Sequence, residues 1–331
     1  MTGPSAPTVV VIGAGVLGVC VAAEAAAAGF EVTLIEREAE PCRGASAASF
    51  AWVNAHDKHP HAYAALNELG RTAHAGNRWF HPVSAQFDAQ SYPDDGYVDT
   101  EAFANAQLGS LHSAGGTARF GVTVSCLKTT TDRACSVQVG LDTGEDLRVD
   151  RVIIAAGVDS PVLLAGITEG PGVLGDATGP AGFVLRASTK AKLGTIHASD
   201  LLNIRPDGGN RIALQSLALE RSLAAKRLPL TREHVWPELR ARAVEHNLEL
   251  NDAGFLEIRA ANRPQALDGL PVTGWVAPSV YILLSHSGVT LAPVLAELVV
   301  DELRGIRSHE LDPFRPDRPY SHLKPPRRTD G

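Results

Sequence analysis

The chain has 331 residues, a formal net charge of −7 and 44% apolar residues. That length exceeds the usual size of one domain and supports one large or two interleaved domains around a sizeable core. The acidic balance argues against a nucleic-acid surface or an anionic-membrane surface, and no apolar run is long enough to span a bilayer.

Met1 to Pro7 is too short and too polar for a signal peptide, so the expectation is a soluble, cytoplasmic protein. Cys20, Cys42, Cys126 and Cys135 form no CxxC pair and read as buried free thiols in a reducing compartment. The first element is the apolar strand ending at Ile12, followed by Gly13-Ala14-Gly15-Val16-Leu17-Gly18. Gly13 permits a sharp turn, Gly15 lets backbone approach a pyrophosphate, and Gly18 lets the helix pack on the strand. A nearly pure Ala/Val/Leu helix over 16–28 would offer its N-terminal N–H groups to phosphates, with Gly29 as its C-cap. The strand Glu31–Ile35 ends at Glu36, placed to accept hydrogen bonds from a ribose hydroxyl pair and to repel a 2′-phosphate. Strand, glycine turn, helix and acid together predict a dinucleotide fold.

Further along, Gly44–Ser49 is a run of small residues where backbone could pack against a ligand, and residues 61–79 read as a helix with Tyr63, Leu66 and Leu69 on one face. His56-Asp57-Lys58-His59-Pro60-His61 has metal-like composition, but no second ligand cluster supports it and no metal is expected. Turns mark the polar stretch from His81 to Tyr97, and a helix follows over 100–114. Arg119–Val124 and Ser136–Val139 read as meander strands with a turn at Asp142–Gly144. Arg151–Gly157 reads as a buried parallel strand ending in small residues. The pattern then changes to antiparallel text: strands at Phe183–Ser188, Leu201–Arg205 and Arg211–Leu214, a hairpin turn at Asp207–Asn210, and an amphipathic helix over 230–248. Parallel-sheet text returns at Val280–Leu284, followed by a helix over 291–304 and a Pro/Arg-rich tail, 312–331, expected to be mobile.

Four separated segments together resemble the FAD-dependent D-amino-acid oxidase superfamily, particularly its glycine oxidase, sarcosine oxidase and D-amino-acid dehydrogenase members. They are the opening fingerprint with Glu36-Arg37, the run Gly44 to Ser49, the strand Val152 to Gly157, and Arg263–Gly274 followed by Ser287–Pro293. The first alone would fit many flavin and nicotinamide enzymes; the last narrows it. The resemblance implies an α/β fold in which a Rossmann-type FAD-binding domain (1–80, 97–166, 259–311) is interleaved with an antiparallel-sheet substrate domain (81–96, 167–258).

It also implies residue roles. FAD contacts are expected from Gly13, Gly15, Val16, Leu17, Gly18, Glu36 and Arg37. Further contacts are expected from Gly44, Ala45, Ser46, Ser49, Phe50, Ala51, Val124, Ala156 and Gly157. Ser287, Gly288, Val289 and Thr290 would place a helix N-terminus at the flavin, where it favours negative charge. Ser46 and Ser49 would bond the pyrophosphate or ribityl chain. Arg263 matches the arginine that clamps a substrate carboxylate, a planar fork that holds both oxygens; the alternative is a structural ion pair with Asp268. His286 stands where glycine oxidase carries a second carboxylate-binding arginine, and Asn54 lies just beyond the flavin-contacting run. Arg205 and Tyr63 read as structural. Ala48 and the lack of any cysteine after Cys135 imply noncovalent FAD. A short segment between Phe80 and Gly96 implies a pocket that is more open, or is completed by a second subunit in a homo-oligomer. The implied reaction is oxidation of the C–N bond of an amino acid or N-substituted glycine by hydride transfer to flavin N5, with oxygen or another electron acceptor. The rival readings are an FAD oxidoreductase acting on a noncarboxylate amine or a hydroxy acid, and a flavin-binding protein without turnover.

Overall fold

A computed structural model of the chain describes residues 6–87, 90–130, 136–168, 170–245, 250 and 252–320. Its centre is a six-stranded sheet in the order 272–277, 280–284, 151–154, 8–12, 31–36, 117–120. All neighbours are parallel except the edge pair Val272–Ala277 and Val280–Leu284. Val9 to Ile12 and Val152 to Ile154 are buried throughout, as strands covered on both faces require. Helices Val16–Ala27, Thr100–Ser113 and Gly288–Leu303 cover one face. The three-stranded meander 124–149 and the short helix Ser160–Leu164 cover the other. Ala22, Ala25 and Ala26 keep the first helix slim enough to sit between its neighbours in the fully buried layer.

A second, seven-stranded sheet runs in the order 254–264, 178–188, 211–215, 203–206, 196–198, 85–87, 90–92 and is antiparallel apart from the 85–87/196–198 pair. One face carries Phe183, Leu185, Ile204, Ile212 and Leu214 under helices Leu217–Ala225 and Arg232–Glu245. The opposite face carries Val184, Ala213 and Ile196 against Phe50. Alternate residues of one strand therefore serve a helix-covered core and a face turned toward the first domain.

Several expectations need correction. The helix expected over 61–79 stops at His74, because Gly76 turns the chain with φ +77° and residues 80–82 enter a small sheet. The single strand expected over 119–124 is broken at Gly121, φ +69°. Its first part joins the parallel sheet and its second part starts the meander. The helix 217–225 was not anticipated, and the last helix begins at Gly288, three residues early. The boundary drawn at 259 cuts through one continuous strand, Gly254–Pro264. Cys126 is exposed, while Cys20 and Cys42 are buried; Cys135 lies outside the described residues.

The tail is docked up to residue 320, and residues 321–331 lie outside the described part. Phe314 is fully buried, Arg315 pairs with Glu302, and Arg318 pairs with Asp268. Among the described residues no helix is long and apolar enough to cross a membrane.

Candidate active site

A cavity of about 790 Å³ is lined by the C-terminal ends of the parallel strands and by the antiparallel strands that face them. Its first wall is the glycine turn. Gly13 has φ +99°, and a Cβ there would stand 2.6 Å from the Ala155 carbonyl oxygen. A Cβ on Gly18 would overlap the Gly13 carbonyl, so Gly18 serves packing and does not line the cavity, contrary to its expected role as a contact. Gly15 is different. A side chain there would meet only the Ser46 hydroxyl, and its backbone faces open space. That gap is where a pyrophosphate can approach the N-terminus of the first helix.

Glu36 stands at the strand tip, and its carboxylate accepts from the Ala14 and Glu38 N–H groups. A carboxylate has about four lone-pair sites, so two remain for ribose hydroxyls. Arg37 is turned aside onto Asp159 at 3.0 Å but still lines the cavity. The Ser46 hydroxyl accepts from the Val16 N–H, and that of Ser49 from the Ala51 N–H. Ser49 keeps its own proton to donate to a ligand, while Ser46 also bonds the buried Cys42 thiol. Ala51 holds φ +54°, a left-handed conformation uncommon outside glycine. Arg205 holds the same loop. It is fully buried, donates from Nε to the Phe50 carbonyl at 2.7 Å, pairs with Asp207, and stacks its guanidinium on Tyr97.

Gly44, Ala45, Val124, Ala156 and Gly157 complete the cofactor-side wall. At the far end the helix Gly288–Leu303 points its N-terminus into the cavity with no side-chain cap. Its first-turn N–H groups have no intrahelical acceptor, and Ser287, Gly288, Val289 and Thr290 all line the space. This helix end is fixed by helix His61–His74. Gly70 leaves room for the Thr290 carbonyl, His74 bonds the Val289 carbonyl at 2.8 Å, and the Tyr63 and Ser287 hydroxyls meet at 2.5 Å. The Ser285 hydroxyl is buried on the cavity wall without a partner.

The remaining wall comes from the antiparallel sheet and the loop 54–58. Arg263, His286 and Asn54 all line this part of the cavity. Arg263 donates from Nη2 to both Glu220 oxygens, at 2.8 and 2.7 Å. Asp268, the expected alternative partner, is taken by Arg318 instead. The His286 ring opens onto the cavity, and the surrounding protein together with the positive charges of Arg263 and Lys58 pushes its pKa down to about 4. Asn54 is nearly buried, and none of the hydrogen bonds among the described residues involves it.

Other lining residues were not singled out from the sequence: Lys58, Phe87, Gly182, Asn203 and Gln215. His56 of the histidine-rich loop is one more. It bonds Asp95 at 3.2 Å and stacks on Tyr92. It sits in the turn that follows the strand Trp52–Val53, and no local sequence signal marked it as a wall residue.

The arrangement fits FAD: an open backbone gap at Gly15, a ribose-facing carboxylate, an orphaned hydroxyl at Ser285, and an uncapped helix end in one continuous cavity. The fold and site define a dinucleotide-binding oxidoreductase of the flavoprotein kind. The family model described as FAD dependent oxidoreductase, DAO, matches residues 8–91 and 78–302, and the chain belongs to that family. A search of curated protein sequences found no match. Among solved structures, glycine oxidase from Geobacillus kaustophilus superposes with a TM-score of 0.76 at 17% identity, over 95% of this chain and 100% of that one. Iminodiacetate oxidase from Chelativorans sp. BNC1 gives 0.75 at 18% identity, over 94% and 100%. L-Amino acid deaminase from Proteus myxofaciens gives 0.78 at 15% identity, over 97% and 95%. At these identities the likeness establishes the fold.

Proposed function

We propose that this protein oxidises the C–N bond of an amino acid or an N-substituted glycine. The observation that carries the reading is Arg263, a cation on the cavity wall whose Nε and Nη1 have no protein partner among the described residues. A guanidinium with free N–H groups is suited to a carboxylate and would anchor one end of the substrate. Asn54 adds an amide with unspent donors and acceptor. His286 stays neutral at ordinary pH, so it can both accept and donate one hydrogen bond without adding charge.

FAD, when bound, supplies the two-electron acceptor for a hydride leaving the substrate alpha carbon and passes the electrons to oxygen or another acceptor. The chain's residues hold and orient. Arg263 fixes the carboxylate, the loop from Phe50 to Asn54 fixes the opposite side, and the apolar rings of Phe50, Trp52 and Phe87 limit water. The substrate nitrogen lone pair becomes the second bond of an imine as hydride departs, and water then gives an oxo acid plus amine or ammonia. No side-chain base at the alpha carbon is needed, so positioning carries much of the rate.

The test compares a carboxylate substrate, found by anaerobic flavin bleaching against glycine, sarcosine and N-alkylglycines, with its decarboxylated amine. Wild type should strongly prefer the carboxylate. Arg263→Ala should lose most of that preference, and Arg263→Lys should lose at least about a hundredfold in flavin-reduction efficiency, since a mobile point charge replaces fixed, planar N–H donors. An unchanged preference in Arg263→Ala would move the carboxylate site elsewhere.

A further inference from the structure

The Arg263 guanidinium is neither free nor merely structural, and the reason is Glu220. This carboxylate sits on the first turn of helix Leu217–Ala225, is 5% exposed, and does not line the cavity. It accepts from the Phe183 N–H at 3.0 Å and from the Gln215 amide at 3.4 Å. It also accepts twice from Arg263 Nη2. Its location is therefore set by two neighbours besides the arginine. Behind the guanidinium lies Gly182, where a Cβ would overlap the guanidinium. Gly182 opposes Ala261, two residues before Arg263 on the neighbouring strand, so the missing side chain provides the seat in which the guanidinium lies.

Two consequences follow from simple electrostatics. Glu220 fixes which edge of Arg263 faces the cavity, and it cancels most of the charge that edge would present. Lone cations in a partly desolvated pocket attract any anion, because Coulomb attraction does not depend on the shape of the anion. A cation already paired offers oriented N–H donors with little net field. Such a site selects by hydrogen-bond direction: the open Nε–H and Nη1–H groups reward the directed lone pairs of a carboxylate oxygen, whereas a spherical anion relies on net charge.

We infer that Glu220 is a positioning and specificity residue: it holds and neutralises Arg263 so that the site takes a carboxylate and rejects inorganic anions. This rests on the proposed role of Arg263 in binding a carboxylate.

The test uses flavin-loaded protein, acetate and chloride as probes, and flavin absorbance titration to read binding. Glu220→Gln keeps an acceptor for Nη2 and removes the charge. Chloride should then bind at least tenfold more tightly, acetate should also tighten, and the preference for acetate over chloride should shrink. Gly182→Ala pushes the guanidinium out of its seat with all charges kept, and acetate should bind at least tenfold more weakly. Unchanged anion binding in Glu220→Gln would overturn the inference, as would weaker binding in a protein whose flavin spectrum and melting temperature match wild type, whereas tightening cannot come from damage to the fold, which weakens binding. If Glu220→Gln does not fold, unchanged acetate binding in Gly182→Ala overturns it equally. Arg263→Ala separates the two levels of the argument. Acetate affinity unaffected by that substitution would reject the carboxylate role of Arg263 itself, whereas loss there with no change in Glu220→Gln would reject only the role of Glu220.

Discussion

His286 shows how a single side chain takes its chemistry from neighbours it does not touch in sequence. Desolvation by the surrounding protein acts most strongly against a proton on the ring, and Arg263 from the antiparallel sheet and Lys58 from the loop before helix 61–74 add their repulsion. The folded pKa of about 4 lies below the ordinary value of 6.5. Above pH 6.5 the ring is neutral in folded and unfolded chain alike and contributes no pH dependence. Between pH 6.5 and 4 the unfolded chain takes up a proton that the folded chain refuses, so stability declines as pH falls through that window. The melting temperature of wild type should therefore fall relative to that of His286→Gln as pH is lowered from about 6.5 to about 4, and the difference should be constant above pH 6.5. A flat difference across the whole range would show that the ring protonates as readily in the fold as outside it.

At the scale of elements, the C-terminal segment is the clearest case of a local reading reversed by packing. Pro and Arg content suggested a mobile tail, yet residues 309–314 form a short 3-10 helix with Leu311 and Phe314 fully buried. Arg315 explains the docking. It pairs through Nη1 and Nη2 with both Glu302 oxygens, and Glu302 also accepts from the Tyr281 hydroxyl inside the fold. Glu302 belongs to the helix whose N-terminus faces the cavity, so this pair braces the distal end of a site element. Arg315→Ala should lower stability by about 2–3 kcal/mol, somewhat under the cost of breaking a fully buried pair because Arg315 keeps some solvent contact. Urea unfolding of the flavin-loaded protein measures this directly. A midpoint equal to wild type would mean that the segment is held by Leu311, Phe314 and the Arg318–Asp268 pair without help from Arg315.

At the scale of the whole molecule, two sheets from interleaved stretches of chain close on one long cavity, and noncovalent FAD is the expectation for it. Ala48 lines it, and among the described residues no cysteine does. Denaturation by acid or heat should release intact FAD into the supernatant at roughly one per chain, and yellow colour left in the precipitate would disprove a noncovalent cofactor. The cofactor wall was the most legible part of this architecture. Gly13, Gly15, Glu36, Ser46 and Gly157 announce themselves because a turn, a close approach or a charge at a strand tip is a local requirement, met within a few residues. Arg263 and His286 were singled out through motif spacing, and both line the cavity.

What the sequence alone determined was the parallel sheet with its glycine turn, the antiparallel text between its halves, and the small-residue runs that leave room for a dinucleotide. Each follows from local rules of periodicity, φ and side-chain size. Only the tertiary structure decided the partners. Glu220 was chosen over Asp268 for Arg263, Gly182 became a seat for a guanidinium 81 positions further along, and Arg205 became the tether of Phe50. These are contacts between segments far apart in the chain, and local pattern does not encode which strands will become neighbours. Ion pairs in particular are fixed by where two sheets bring charges within about 3 Å, a distance set by packing that no spacing along the sequence expresses.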